Sequence, residues 1–271
     1  MDETTNDEIR AAVRATYSQV ALGDSDGCRS PSSDAEASCC APVQVGSIQL
    51  GYSAADLAAA PSGADLGLGC GNPGAIAALK SGETVLDLGS GAGFDAFLAS
   101  AAVGATGRVI GVDMTPAMVS RARANAEHNG FDNVDFRLGE IERLPVADGV
   151  VDAIISNCVI NLSPDKLAVF RESFRVLREG GRLVISDVVA SAELPEELRG
   201  DLALYSGCVA GASLISELEE MMSSAGFEDI RIAPKDESRA FIEQWAPGRQ
   251  ITDYVVSATI EAVKPLAPTP C

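Results

Sequence analysis

Short apolar runs of strand type alternate with helical stretches four times between residues 84 and 189, and this rhythm constrains the chain more than any other feature. TVLDL at 84–88, RVIGVD at 108–113, VDFRL at 134–138 and VDAIIS at 151–156 are the first four runs, and RLVISDVV at 182–189 is the fifth. Between them, FDAFLASAAV reads as a helix, Thr115 caps a second helix running to Asn129, and a third spans 164–178 before Gly180 and Gly181 end it. Strand–helix alternation of this kind predicts a parallel sheet with helices on both faces. After Pro195 come two helices (195–206 and 213–225), a strand at 229–233 and a last strand within 252–263. The expected fold class is therefore α/β, a doubly wound, mostly parallel seven-stranded sheet. Upstream, residues 6–22 space Ile9, Val13, Tyr17 and Val20 as an amphipathic helix, and a short helix is expected at Ala54–Ala60. The expected division is an N-terminal helix and cysteine-bearing segment (1–75), a nucleotide-binding core (76–195) and a C-terminal segment (196–271).

The turn after the first strand reads VLDLGSGAGFD. Gly89, Gly91 and Gly93 let backbone turn tightly and come close to a ligand, with a helix N-terminus just behind. Asp113 ends the second strand, 26 residues after Asp87, where a carboxylate can accept hydrogen bonds from both ribose hydroxyls. A glycine turn alone could be a plain strand-to-helix loop; the acid at the next strand end favours a nucleotide site. The dinucleotide fingerprint needs glycine at its sixth position, where this chain has Phe94. Asp87, two residues before the first glycine, would repel a pyrophosphate and suits a ligand with positive charge, such as the amino group of a methionine moiety.

These residues resemble the class I, Rossmann-like S-adenosylmethionine-dependent methyltransferases. The resemblance implies S-adenosyl-L-methionine as cofactor, held by Asp87, Gly89, Ser90, Gly91, Gly93, Asp113 and Met114. It also places Glu140 and Ile141 beside the adenine and Asn157 near the point of methyl transfer.

Charge and leader sequence narrow the partners. The chain carries 20 Lys+Arg (16 Arg, 4 Lys) against 39 Asp+Glu, a net charge of −19, which argues against nucleic acid or an anionic membrane. The acidic start MDETTNDEIR has no signal-peptide pattern, and no apolar run approaches the length of a membrane span, so a cytoplasmic protein is expected. Seven cysteines, an odd number, do not make a secreted disulfide framework; they should be ligands, nucleophiles or core residues. A monomer is the default.

Cys158 lies in SNCVINLSPDK at the carboxyl end of the fourth strand, where open α/β sheets bind ligands. Cys208 lies in LYSGCVAGA, and Cys70 lies in a Gly-rich turn fourteen residues before the first strand. Any one of these could be a buried core thiol; three in irregular segments near one rim point to a soft ligand, since thiolates prefer soft acceptors. No CxxC or Cys/His spacing supports structural zinc.

From about residue 47 to 230, GLGCGNPGAIAALKSGETVLDLGSGAGFDAFLA, SNCVINLSPDK, GGRLVISDV and GCVAGA resemble the arsenite S-adenosylmethionine methyltransferases. The resemblance implies arsenite or thiol-bound trivalent arsenic as substrate, held by Cys158 and Cys208 with Cys70 close by. It further implies a disulfide between Cys70 and Cys158 in the catalytic cycle, and Cys40 or its neighbour Cys39 as a relay reset by thioredoxin or glutathione. Leu68 departs from the aromatic of eukaryotic relatives, and Cys28 and Cys271 take no role. Attack by an arsenic lone pair removes no proton, so a chain whose one histidine, His128, sits late in a helix is compatible with it. Two rival readings stay open at this level: a quinone or sterol carbon methyltransferase with incidental cysteines, and a non-enzymatic metalloid-binding thiol protein.

Overall fold

Residues 5–23, 46–246 and 248–267 are described by the computed structural model. Thr5 and Glu8 form a capping box at the start of α1 (Asn6–Leu22), and Gly23 ends it in the left-handed conformation, φ 75°. Two short helices follow: α2 (Ala54–Ala59), capped by Ser53, and α3 (Pro73–Ala77), where the Asn72 side chain accepts from the Ala75 amide. Proline in the first turn, lacking a donor that would go unused anyway, suits α3, a helix not expected from the sequence.

The alternating region then builds β1 (Thr84–Leu88), α4 (Phe94–Val103), β2 (Arg108–Asp113), α5 (Pro116–Asn129), β3 (Val134–Leu138), β4 (Val151–Asn157), α6 (Lys166–Val176) and β5 (Leu177–Ala190). Beyond it lie α7 (Glu196–Arg199), α8 (Leu202–Ser206), α9 (Ile215–Ala225), β6 (Glu228–Lys235), α10 (Arg239–Ile242) and β7 (Val255–Val263). All seven strands join one sheet in the order β3-β2-β1-β4-β5-β7-β6. The first five are parallel; β7 runs antiparallel between β5 and β6. Val85 and Ile155 face a core under α4 and α5, while Leu86, Leu88 and Ile154 face a second core with Phe170 of α6 and Leu218 of α9. Burial on both faces explains why these strands read as unbroken apolar runs instead of alternating ones.

Two expected boundaries shift. The helix expected to reach residue 178 ends at Val176, because Leu177 is buried and already pairs with Val151. Gly180 and Gly181 instead sit where the register jumps from Val151↔Leu177 to Ala153↔Arg182, and the Gly180 amide donates to Lys264 O at 2.9 Å. The helix expected at 195–206 breaks at Gly200 into α7 and α8, with Asp201 capping the second piece.

Strand order reverses between β1 and β4, and their carboxyl ends lie side by side. That switch point brings the loop after Leu88 next to Asn157 and Cys158. A third apolar cluster covers it, joining Val13 of α1, Cys70, Cys158, Leu162, Leu198, Leu204 and Cys208.

Candidate active site

Beyond β1 the chain folds back over β2: the amides of Gly89 and Ser90 both donate to Val112 O, at 2.7 and 3.0 Å. Gly91 has φ 52° with open space where a side chain would begin, whereas a Cβ on Gly89 would run into Val159. The loop is thus packed behind and clear in front. Asp113 accepts from the Gly91 amide (3.0 Å) and the Thr115 amide (2.7 Å), which ties the glycine turn to the end of β2. Burial raises the Asp113 pKa even though those amides pull it down.

Asp87 is 3% exposed, and its Oδ2 has no hydrogen-bond partner; Ser90 Oγ has none either. Burial holds the Asp87 pKa well above the ordinary carboxylate range, and the nearby Asp95 and Asp113 push it the same way. Asp95, in the first turn of α4, accepts from Tyr52 Oη at 2.6 Å and Asn157 Nδ2 at 3.2 Å. Asn157 also donates to Gly71 O (2.7 Å) and accepts from the Cys70 amide (2.9 Å), so one amide side chain links the loop region to the Cys70 turn.

These groups line a cavity of about 140 Å³. Gly89–Ala92 form one wall, Asp113 and Met114 the next, and Ile141 and Glu142 the far side. Arg10, Val13 and Tyr17 of α1 close it from above. Arg10 pairs with Glu142 at 3.2 Å, and Tyr17 Oη donates to Ser206 O at 3.2 Å.

Cys158 also lines this cavity and is disulfide-bonded to Cys70, with their Cα atoms 5.9 Å apart. The Cys208 thiol donates to Cys158 O at 2.9 Å. Cys158 and Cys208 both have left-handed backbones, φ 56° and 63°, uncommon for residues with a Cβ. Asn161 holds the two turns together: its Nδ2 donates to Asp187 Oδ1 (3.0 Å), Val188 O (2.6 Å) and Cys208 O (3.3 Å). Burial pushes the Cys208 thiol well above its usual pKa, and Asp187 adds to the shift while Lys166 opposes it. A neutral thiol buried against an internal disulfide, one sulfur of which borders the cavity, is arranged for a soft, thiophilic partner.

A family model described as a methyltransferase domain matches residues 79–226. Arsenite methyltransferase from Halobacterium salinarum is 54% identical over 263 residues, which cover 96% of this chain and 67% of that protein. The chain belongs to the arsenite methyltransferase family. A second member, from Aquipseudomonas alcaligenes, is 49% identical over 57% of this chain and 47% of its own length. The chain therefore spans about two thirds of one relative and under half of the other. Among solved structures, an arsenic (III) S-adenosylmethionine methyltransferase from Chlamydomonas reinhardtii is 32% identical, covers 85% of this chain and 76% of its own, and superposes with a TM-score of 0.62.

The cofactor of this family's methyltransferase domain is S-adenosylmethionine, and the cavity suits it on the structure's own terms. The unpartnered Asp87 Oδ2 and Ser90 Oγ are buried polar atoms that a cationic, hydrogen-bonding ligand would satisfy, and the ground before Gly91 is open. Most residues expected at the site meet at this cavity: Asp87, Gly89, Ser90, Gly91, Asp113, Met114, Ile141, Asn157 and Cys158. Gly93 stands behind the wall, where a Cβ would meet Phe136 and Phe97 at 2.7 Å. Glu140 is not among the lining residues: its carboxylate pairs with Arg14 at 3.2 Å, and Glu142 lines the cavity. Cys70 and Cys208 lie just beneath the cavity wall, at 2% and 4% exposure. Cys39 and Cys40, with Cys28 and Cys271, lie outside the described residues. Tyr52, Asp95 and Asp187 had no sequence signal, and Tyr17 was legible only as a position on the buried helix face; contacts across 43 to 189 positions (Tyr52–Asp95 and Tyr17–Ser206) give the two tyrosines a place at the site. Among the described residues no helix is long and apolar enough to cross a membrane.

Proposed function

We propose that this chain methylates trivalent arsenic, supplied as arsenite or a thiol-bound form, while cysteine sulfurs hold the metalloid. The observation that carries the reading is the packing of Cys70 and Cys208 against Cys158, which lines the cavity that suits S-adenosylmethionine. When bound, that cofactor supplies an electrophilic methyl group on a sulfonium sulfur. Asp87 would face its amino group, Asp113 its ribose, and Ile141 with Glu142 its adenine. Asn157 keeps the Cys70 turn against the cavity wall.

Cys158 and Cys208 would bind arsenic as thiolates, each sulfur displacing a hydroxide that leaves as water with the thiol proton. Fixing the arsenic on a buried wall orients its lone pair and excludes solvent, and orientation is the main service this reaction requires. No general base is needed, because that lone pair carries no proton. Methylation takes arsenic formally to the pentavalent state; the Cys70 sulfur, giving its proton to solvent, would then bond to the Cys158 sulfur as the Cys158–arsenic bond breaks, its electron pair staying on arsenic and returning it to the trivalent state. Thioredoxin or glutathione would reopen that disulfide by thiol exchange, with Cys40 or Cys39 carrying the oxidation outward.

Cys158→Ser tests the reading. Arsenite methylation, read as methylated arsenicals resolved by chromatography, should be lost while cofactor binding stays near the wild-type value. Full methylation by that variant would overturn the assignment.

A further inference from the structure

Asp187 is a buried carboxylate that supports the cysteine turns but touches no reacting group in the methylation reading. It follows Ser186 on β5, and Ser186 O takes the Cys158 amide at 2.8 Å and lies 3.3 Å from Cys70 Sγ. A carboxylate oxygen of Asp187 and the sulfurs of Cys70 and Cys158 all fall within 4.8 Å of one another. Its orientation owes nothing to those sulfurs. Oδ1 accepts from the Val188 amide (2.7 Å) and Asn161 Nδ2 (3.0 Å); Oδ2 accepts from the Ile160 amide at 2.9 Å and more weakly from Asn161 at 3.4 Å. The 3.4 Å contact from Asn161 is the one a cation would displace. Cys208 directs its thiol at Cys158 O.

Two thiolates and a carboxylate on a preset frame are a donor set for a borderline or soft divalent cation of the zinc or cadmium class. We propose that, once the Cys70–Cys158 bond is reduced, Cys70, Cys158 and Asp187 bind one such cation, with water completing the coordination. The step is a ligand exchange: two metal–sulfur bonds form, two thiol protons leave to solvent, and no electron moves once the disulfide has been opened by a thiol or phosphine reductant. It does not depend on arsenic being the substrate. Where arsenic is the substrate, the cation competes for Cys158 and keeps the pair from oxidising.

The test uses the full chain, reduced with a phosphine, desalted without oxygen and titrated with cadmium alone. Sulfur-to-cadmium absorption and calorimetry report binding. A parallel arm carries serine at positions 28, 39, 40 and 271, leaving only the three buried thiols. One cadmium per chain is expected in that arm, retained in Cys208→Ser and lost in Cys70→Ser and Cys158→Ser. Asp187→Asn should weaken binding by at least about tenfold, the range for disturbing a metal's supporting ligands. X-ray absorption at the cadmium edge needs no Asp187 variant and should count two sulfurs with oxygen neighbours. Three sulfurs, or loss of binding in Cys208→Ser with none in Cys70→Ser, would overturn the site. Arsenite methylation assayed on the same preparations separates the two readings: activity without cadmium binding sinks this site alone, and cadmium binding without activity leaves it standing.

Discussion

Asp95 shows how a single buried acid can set the response to pH. Its carboxylate is held by Tyr52 and Asn157, yet burial outweighs both and pushes its pKa from 3.8 up to about 6. A carboxyl whose folded pKa is raised binds its proton more tightly in the folded chain than in the unfolded one. Its contribution is complete below the unfolded value of about 4 and is lost as pH rises through about 6. Urea unfolding at constant salt should therefore show stability falling between pH 4 and pH 6.5, by at most about 3 kcal/mol from this group. Asp95→Asn should remove that portion of the slope; wild-type and variant curves running parallel across the window would refute the assignment. The thiols are special in a different way. Left-handed backbone at Cys158 and Cys208 costs about 1–3 kcal/mol at each. The Asp187–Asn161 contacts and the Cys208 thiol on Cys158 O are the bonds that hold both turns in that conformation.

At the scale of elements, α1 determines whether the cavity has a roof. Arg10 lies between Glu142 at 3.2 Å and Glu140 at 3.9 Å, with side chains of Arg10 and Glu142 only 18% and 11% exposed, so the pair is largely desolvated. Arg121 adds a bond from α5 to Ala21 O at the other end of α1. Arg10→Ala leaves Glu142 without its cation at the cavity edge, a loss of about 1–2 kcal/mol for a charged hydrogen bond of this kind. Cofactor affinity measured by calorimetry should fall up to about tenfold; an unchanged value would show that α1 does not cover the ligand. The strands β1, β2 and β4, the Asp113 terminus and the position of Cys158 were legible in sequence, because burial on both faces and glycine chemistry act locally. The place of α1 was not: an amphipathic pattern says that one face is buried, never against what. Nor was the lining of the cavity by Glu142, two residues beyond the expected Glu140, since a shift of that size in an irregular turn leaves no periodic trace. The pairing of Cys70 with Cys158 spans 88 residues, and only family likeness made it visible beforehand.

For the molecule as a whole, the dominant physical fact is a charge of −19 on 271 residues. Every ion pair among the described residues uses arginine, and the Arg182–Glu83 pair is bidentate, two bonds of 2.8 Å tying β5 to the start of β1. Such forks hold their geometry when salt screens them, and exposed pairs such as Arg108–Asp135 contribute only about 0–1 kcal/mol to begin with. Salt therefore has little attraction to take away and much repulsion to relieve. The screening length falls from about 30 Å at 0.01 M to about 3 Å at 1 M, from the width of a domain to the span of one contact. Raising potassium chloride across that range should raise Tm by several degrees, at roughly 2–4 °C per kcal/mol for a chain this size. Sodium chloride at equal ionic strength should act alike, because screening depends on charge and not on ion identity. A Tm that falls with salt, or that rises only in sulfate, would show that charge repulsion is not what limits this fold.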